Sequence, residues 1–445
     1  MKFFKVIAII LCIAVTSMFF FPFEFRALPP GMNTKKIMAA LSLVILLWKM
    51  VQRQELKADK SFLYITILAG LVSFCGILSV TYNSTEDYTY ATYITSCWVW
   101  WGAAYTLCTF IEWVHKRIDI ELIIRYLAAV CVFQGIIALV MDSNKAVKMA
   151  INSVVLQEDM VFLGNVHRLY GIGATLDVAG SRFAAVLVML MFALANNRFI
   201  KQWYEYLFYL LAFIIITVAG NMIARTTLVG VIFAFLYLAY ATFRNFILQE
   251  QHSSNLWHWI GGTLVISVPL LIYSYNNDPL MQKHLRFGFE GFFNLVEKGD
   301  FNYTSNDRLR EMYVWPDNAK TWIIGDGYFE NPLETDVHYT GEITEGFYKS
   351  TDVGYSRFLF YFGLVGLVTF SFYFIEVGRT CMHKFPHWRM MFLFLLLLHF
   401  AVWAKVSTDI FLCFAPFLCL DPENDNENEE LEGDEEDSVS DSRDV

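Results

Sequence analysis

The sequence predicts an all-α integral membrane protein of about twelve transmembrane helices with one large periplasmic loop. Three observations carry this. The chain of 445 residues is 56% hydrophobic and only 17% charged, more apolar surface than a soluble chain of its size can bury. Runs of about 18 or more apolar residues recur, each long enough to cross a hydrocarbon core of about 30 Å as a helix. A polar stretch, 276–353, rich in aromatics, Arg and Asp, then stands between two apolar regions. Lipid offers no water to backbone groups, so helices are favoured, and no alternating barrel pattern is seen.

The expected spans are 3–22, 37–51, 61–81, 93–114, 120–141, 178–195, 203–220, 222–243, 257–275, 354–376, 390–404 and 408–420. This divides the chain into helices one to nine (1–275), the large loop (276–353), helices ten to twelve (354–420) and an acidic tail (421–445). The first span follows Lys2 and includes Lys5, as a signal peptide would. No small-x-small cleavage pattern closes it, and Phe21-Pro-Phe-Glu-Phe25 stands there instead, so it reads as an uncleaved first helix.

Orientation follows from Lys and Arg in the short loops. Lys2 and Lys5; Lys49, Arg53, Lys57 and Lys60; Lys116 and Arg117; Arg198 and Lys201; Arg244; and Arg379, Lys384 and Arg389 form one basic set, expected to be cytoplasmic. The alternate loops are poorer in cations, with Arg26, Lys35 and Lys36 the exception. Both termini are then inside, and the 276–353 loop is outside. Trp98, Trp100 and Trp101 suit an interfacial belt.

The net charge of -10 comes from the tail, whose thirteen acids and one Arg leave the rest slightly positive. Such a block without aromatics is expected to be solvated and disordered. All eight cysteines fall in apolar spans or at their edges, so no disulfide framework or metal site is implied. No internal repeat is evident, which weighs against a secondary transporter.

Within the loop, Ser305-Asn-Asp can cap a short helix over Arg308–Trp315, limited by Pro316 and able to lie on the outer leaflet. Gly325-Asp-Gly-Tyr-Phe is a turn.

Several outer residues could carry chemistry. Arg225, in a tight hairpin between spans, is either a snorkelling cation or a phosphate ligand with a bidentate fork. Arg168 and Arg182 flank a glycine-containing segment, and Asp177 could pair with Arg182 or leave it for an anion. His338 and His284 are the loop's histidines. Asp352 could be a helix N-cap, a general base, or both. The outer face carries no HExxH, DxD or GxSxG, so zinc hydrolysis, metal-dependent sugar-nucleotide transfer and elbow-type acyl transfer lack their motifs.

The order of these motifs resembles the O-antigen polymerase and O-antigen ligase superfamily of bacterial envelope glycosyltransferases, over about Arg168 to Leu420. The matching pieces are Arg168-Leu-Tyr-Gly171, Ala224-Arg-Thr226, the loop helix Arg308-Leu-Arg-Glu-Met-Tyr-Val-Trp315, the Gly325-Asp-Gly327 turn and the segment Asp352–Gly366. There are departures. Thr351-Asp352 stands where ligases usually have His-Asn, which favours a polymerase, and Leu176-Asp177 replaces the usual Pro-Asn.

The resemblance implies a polysaccharide polymerase in the bacterial inner membrane. It would join glycan units carried on undecaprenyl pyrophosphate. Arg168, Arg182, Arg225, Arg308 and Arg310 would hold the pyrophosphate. Asp352 or His338 would take the acceptor's proton, and Trp315, Tyr328 and Tyr355 would contact sugar. No cofactor, metal or nucleic acid is expected. Membrane lipid and a chain-length regulator protein are the other expected partners. The alternatives are a ligase delivering the glycan to another acceptor, a flippase for lipid-linked oligosaccharides, and an assembly protein with no catalysis.

Overall fold

The computed structural model describes residues 2–52, 60–157, 163, 168–196, 202–248, 253–332, 336, 338–339, 341, 343 and 347–421, without the side chains of 2–3, 248, 253–256 and 304–306. Residues 422–445, nearly all of the acidic tail, lie outside the described residues.

The described chain is all-α. Its long helices are α1 (Lys2–Phe20), α2 (Thr34–Val51), α3 (Lys60–Asn83), α4 (Tyr93–His115) and α5 (Ile120–Ser143), followed by the short α6 (Lys145–Val154). Then come α7 (Leu176–Ala195), α8 (Trp203–Ile223), α9 (Thr227–Leu248) and α10 (Ser253–Asn277). Four short helices build the loop: α11 (Pro279–Gly288), α12 (Glu290–Lys298), α13 (Thr304–Glu311) and α14 (Ala319–Ile323). The chain closes with α15 (Gly354–Lys384), α16 (Arg389–Trp403) and α17 (Phe411–Leu418). Two-residue strands, β1 (Glu24–Phe25) and β2 (Val155–Leu156), pair antiparallel and tie the link after α1 to the link after α6.

Among the described residues, 8 helices are long and apolar enough to cross a membrane: those of α3, α5, α7, α8, α9, α10, α15 and α16, the last counted from Pro386. Helix α1 contributes a shorter apolar stretch, Phe4–Phe20. The remaining long helices, α2 and α4, run 18 and 23 residues. Helix α2 buries Thr34, Met38, Ser42 and Ile45, one residue per turn, and packs along α4. Its other faces expose Leu43, Val44, Leu47 and Val51, an apolar surface of the kind lipid covers. Helix α7 is buried on all sides from Ala179 to Leu194, as expected of a helix that is hydrophobic all round. It packs closely on α9: a Cβ on Gly230 would lie 2.2 Å from Ala184 Cα. Small residues at such crossings let helix backbones approach.

Helix ends are set by local chemistry. Asn33, Asp119 and Asn318 cap α2, α5 and α14 by accepting from the backbone N–H three residues on. Asp278 caps α11, with Pro279 at the first helical position. Gly299 ends α12 in the left-handed region, φ 72°.

The polar segment after α10 closes one end of the bundle. Its hydrogen bonds reach the end of α3 through Asn83 to Gly325 O, the hairpin between α8 and α9 through Arg225 to Phe287 O, and the end of α5 through His284 to Asp142. The link 404–410 reaches α7 through Lys405. The opposite end is tied by Arg125 to Glu205, between the starts of α5 and α8.

The spans expected at 3–22, 37–51, 93–114 and 408–420 are not among the eight helices long and apolar enough to cross, and two expected spans differ in backbone from the sequence reading. The span at 354–376 is a 31-residue helix that breaks at Phe362 and Gly363, where Gly363 takes φ 66°, ψ −170°. The Gly325-Asp-Gly327 turn fills the break: Asp326 N and Gly327 N donate to the carbonyls of Phe360 and Tyr361, which the helix leaves open. The span expected at 408–420 is not one regular helix. Helix α17 has 8 residues, all buried, and follows an irregular link, 404–410. Eight residues rise only about 12 Å. Asp409 explains where the helix starts, since its Oδ1 accepts from Phe411 N. Irregular backbone at this depth is tolerated where protein encloses it. The loop helix expected at 308–315 instead begins at Thr304 and ends at Glu311, short of Pro316.

Candidate functional site

The hairpin Ala224-Arg-Thr226 between α8 and α9 sets the site. Arg225 is partly buried, its side chain 14% exposed, and the segment α11–α12 folds over it. Its Nη2 pairs with Glu290 Oε2 at 2.6 Å and its Nε donates to Phe287 O at 3.0 Å. The guanidinium lies 4.3 Å from the Phe287 ring centroid and 5.5 Å from that of Tyr303. Arg168 approaches the same Phe287 ring, at 5.3 Å. Two arginines far apart in sequence thus meet on one aromatic ring. Burial pulls the Arg225 pKa down, Glu290 opposes this, and Arg168 adds to the fall. Removing two like charges from water favours an anion between them. A cavity of about 360 Å³ opens beside them, lined by Arg225, Arg286, Phe287, Glu290, Phe293 and Asn294.

A second cluster adjoins the hairpin. Asp177, at the start of α7, accepts from Lys405 Nζ at 2.9 Å and from the Thr226 hydroxyl; Lys405 also donates to Thr226 Oγ1 at 2.6 Å. This corrects the expected pairing of Asp177 with Arg182. Arg182 is one turn deeper, donates to Phe20 O at 2.7 Å and lies over Phe21 and Trp100. It secures the end of α1 and stays apart from the Phe287 pair. Lys405 takes its place as the cation near Asp177. Arg168 is within electrostatic reach of Asp177, which joins the two clusters.

Asp352 stands just before α15, half-buried. Burial raises its carboxyl pKa to about 6; Asp177 adds to the rise, while Arg357 and Lys405 oppose it. Arg357 itself is held between the rings of Phe329 and Phe347, each 3.7 Å from its guanidinium carbon. It donates to Ser407 Oγ, Phe329 O and Glu330 Oε1 at 2.7–2.8 Å. It therefore fastens the loop and the 404–410 link to the start of α15. Thr351 donates its hydroxyl to Met312 O, fixing the turn that presents Asp352.

The other expected residues lie elsewhere. His338 is exposed, with its backbone N–H donating to Asp336. Arg308 and Arg310 are exposed on α13, which begins one residue after Tyr303. Trp315 is exposed and stacked on Trp322. Tyr328 is buried and donates to Asp336. Tyr355 packs on Trp403 and donates to Phe400 O. The structure adds Phe287, Glu290, Lys405 and Arg357 to the site. Only the aromatic run Phe287-Gly-Phe-Glu-Gly-Phe-Phe293 hinted at the first two. Among the described residues no cluster of three or more metal-ligating side chains occurs.

Fold and site together define a polytopic helical membrane protein with a charged, aromatic-walled site at one end of its bundle. Comparison with protein-family models, curated proteins and solved structures finds no match to this chain.

Proposed function

We propose that this protein is a surface-polysaccharide polymerase of the bacterial inner membrane. It would cross twelve times, with the 276–353 loop in the periplasm, and transfer a glycan from undecaprenyl pyrophosphate to a second lipid-linked glycan. The reading rests on one observation above all, the convergence of Arg168 and Arg225 on the Phe287 ring beside an open polar cavity. A pyrophosphate entering between the two arginines, beside that cavity, displaces Glu290 from Arg225 and takes both guanidinium forks.

In the transfer, an acceptor hydroxyl oxygen attacks the anomeric carbon. The carbon–oxygen bond to the pyrophosphate breaks, and that oxygen leaves with the bonding pair. Arg168 and Arg225 stabilise the charge that develops on it. Asp352 accepts the hydroxyl proton, with a pKa of about 6 that matches a base working near neutrality. Lys405 keeps Asp177 and Thr226 in register behind the arginines. A lipid pyrophosphate is already an activated leaving group, so these residues suffice for the step.

The test is Arg225→Ala and Arg168→Ala in cells lacking the native gene. Each should remove the polymer ladder while protein persists in the membrane, a loss of about 3–4 kcal/mol of transition-state stabilisation. Arg225→Lys should rescue poorly, because a point charge cannot bridge two phosphate oxygens. A normal ladder with Arg225→Ala would make this arginine a packing group and end the proposal.

A further inference from the structure

The cavity beside Arg225 is also lined by Arg286, Phe293 and Asn294, which the proposed transfer leaves without a role. Helix α12 supplies Glu290 and Asn294, four residues apart and so on one helical face. Helix α11 supplies Arg286 and Phe287. Phe293 completes the wall, stacked on Tyr275 at 5.4 Å and with the Arg286 guanidinium 5.2 Å from its own ring centre. The Asn294 amide donates to Asn302 O at 2.7 Å, which fixes the side chain in place. Arg286 is fixed as well, through Tyr275 Oη at 2.9 Å and Glu297.

This wall combines a carboxylate, an amide, a guanidinium and aromatic rings, all held by second partners, around a cavity of about 360 Å³. Hydrogen-bonding groups of both polarities beside aromatic surface suit a ligand that is densely hydroxylated and has apolar C–H faces. A second phosphate would meet Glu290 head-on. A lipid tail would leave the polar groups without partners. Resting on the proposed polymerase reading, we infer that this cavity is the subsite for the donor's pyrophosphate-linked sugar ring, with Asn294 and Arg286 as specificity-determining residues. Glu290 stands where the two subsites meet, so it releases Arg225 to the phosphate and turns to a sugar hydroxyl.

The test compares two probes on purified full-length protein in lipid nanodiscs: undecaprenyl pyrophosphate without sugar, and the lipid-linked oligosaccharide fraction extracted from the producing cells. Arg225→Ala should weaken both. Asn294→Leu and Arg286→Met should each weaken the glycan-bearing probe by about tenfold, the scale of one hydrogen bond to a charged or fixed polar group. Both should bind the bare pyrophosphate within about twofold of wild type. Arg286 lies on the exposed side of α11, so its variant reports even if Asn294→Leu misfolds. Equal weakening of both probes, or of neither, overturns the sugar subsite while leaving the pyrophosphate site standing. If the wild type binds neither probe, the polymerase reading fails and takes the subsite with it.

Discussion

Asp352 sits two residues before a helix, where a carboxylate ordinarily serves as a cap and stays ionised. Here burial and the neighbouring Asp177 hold its pKa near 6, so it titrates in a useful range. As a base it must be ionised to accept a proton, so polymerisation should rise with pH through about 6 and then level. Asp352→Asn should remove that limb and lower the rate throughout. A membrane-extract assay between pH 5 and 8 reads both, and an unchanged limb in the variant would assign it to another group. For stability the sign is opposite. The folded pKa lies above the unfolded one, so the folded state binds more protons between about pH 4 and 6, and stability falls as pH rises through that window. Residues of this kind were only partly legible beforehand. Arg168, Arg225 and Asp352 stood out because charges beside apolar spans are costly. Glu290, Lys405 and Arg357 did not, because nothing local in Glu-Gly-Phe-Phe or Ala-Lys-Val signals a partner in another part of the chain. Arg182 misled for the same reason: an arginine in a first helical turn looks alike whether it faces a ligand or, as here, a backbone carbonyl.

At the level of elements, eight long helices followed directly from apolar length, and the hairpin at 224–226 fell where it was expected. The departures lie in α15 and α17, where hydropathy continues unbroken while the backbone does not. The run Phe358–Phe362 is uniformly apolar, so only Gly363, with Gly325-Asp-Gly327 far upstream, could have pointed to the break. Gly363 has positive φ, and a Cβ there would lie 2.2 Å from Ile323 O. Gly363→Ala should therefore cost more than about 2 kcal/mol. Gly262→Ala is the control: it is helical, its Cβ would meet nothing within 4 Å, and it should be neutral or slightly stabilising. Melting in detergent compares them, and equal Tm values would show that the break is not strained against substitution. Helix α12 carries a further lesson. Its polar face meets Arg225, while Phe292, Leu295 and Val296 are exposed on the other side. The amphipathic surface helix anticipated around residue 310 is better realised here.

For the whole molecule, hydropathy marked a polar segment between two apolar regions. It did not reveal that the segment between α10 and α15 carries four short helices and inserts side chains among the bundle's ends. Sidedness is the matter to measure. Reporter fusions after Asn302 and Asp425 should report the periplasm and the cytoplasm respectively, as the distribution of Lys and Arg requires. A cytoplasmic signal at Asn302 would turn the molecule over and end the proposed use of a lipid-linked donor.

The turn seated in the break of α15 also bears on biogenesis. Carbonyls 360 and 361 find their donors in residues 326 and 327, which leave the ribosome earlier. When α15 is seated in the membrane, that turn must already be folded against it. Otherwise the Phe360 carbonyl would lack its donor, and the Tyr361 carbonyl would keep only the Ser79 hydroxyl, at a cost of several kcal/mol for a bare carbonyl in hydrocarbon. Folding of the polar segment thus becomes a precondition for seating α15, and the chain's own order of synthesis supplies it.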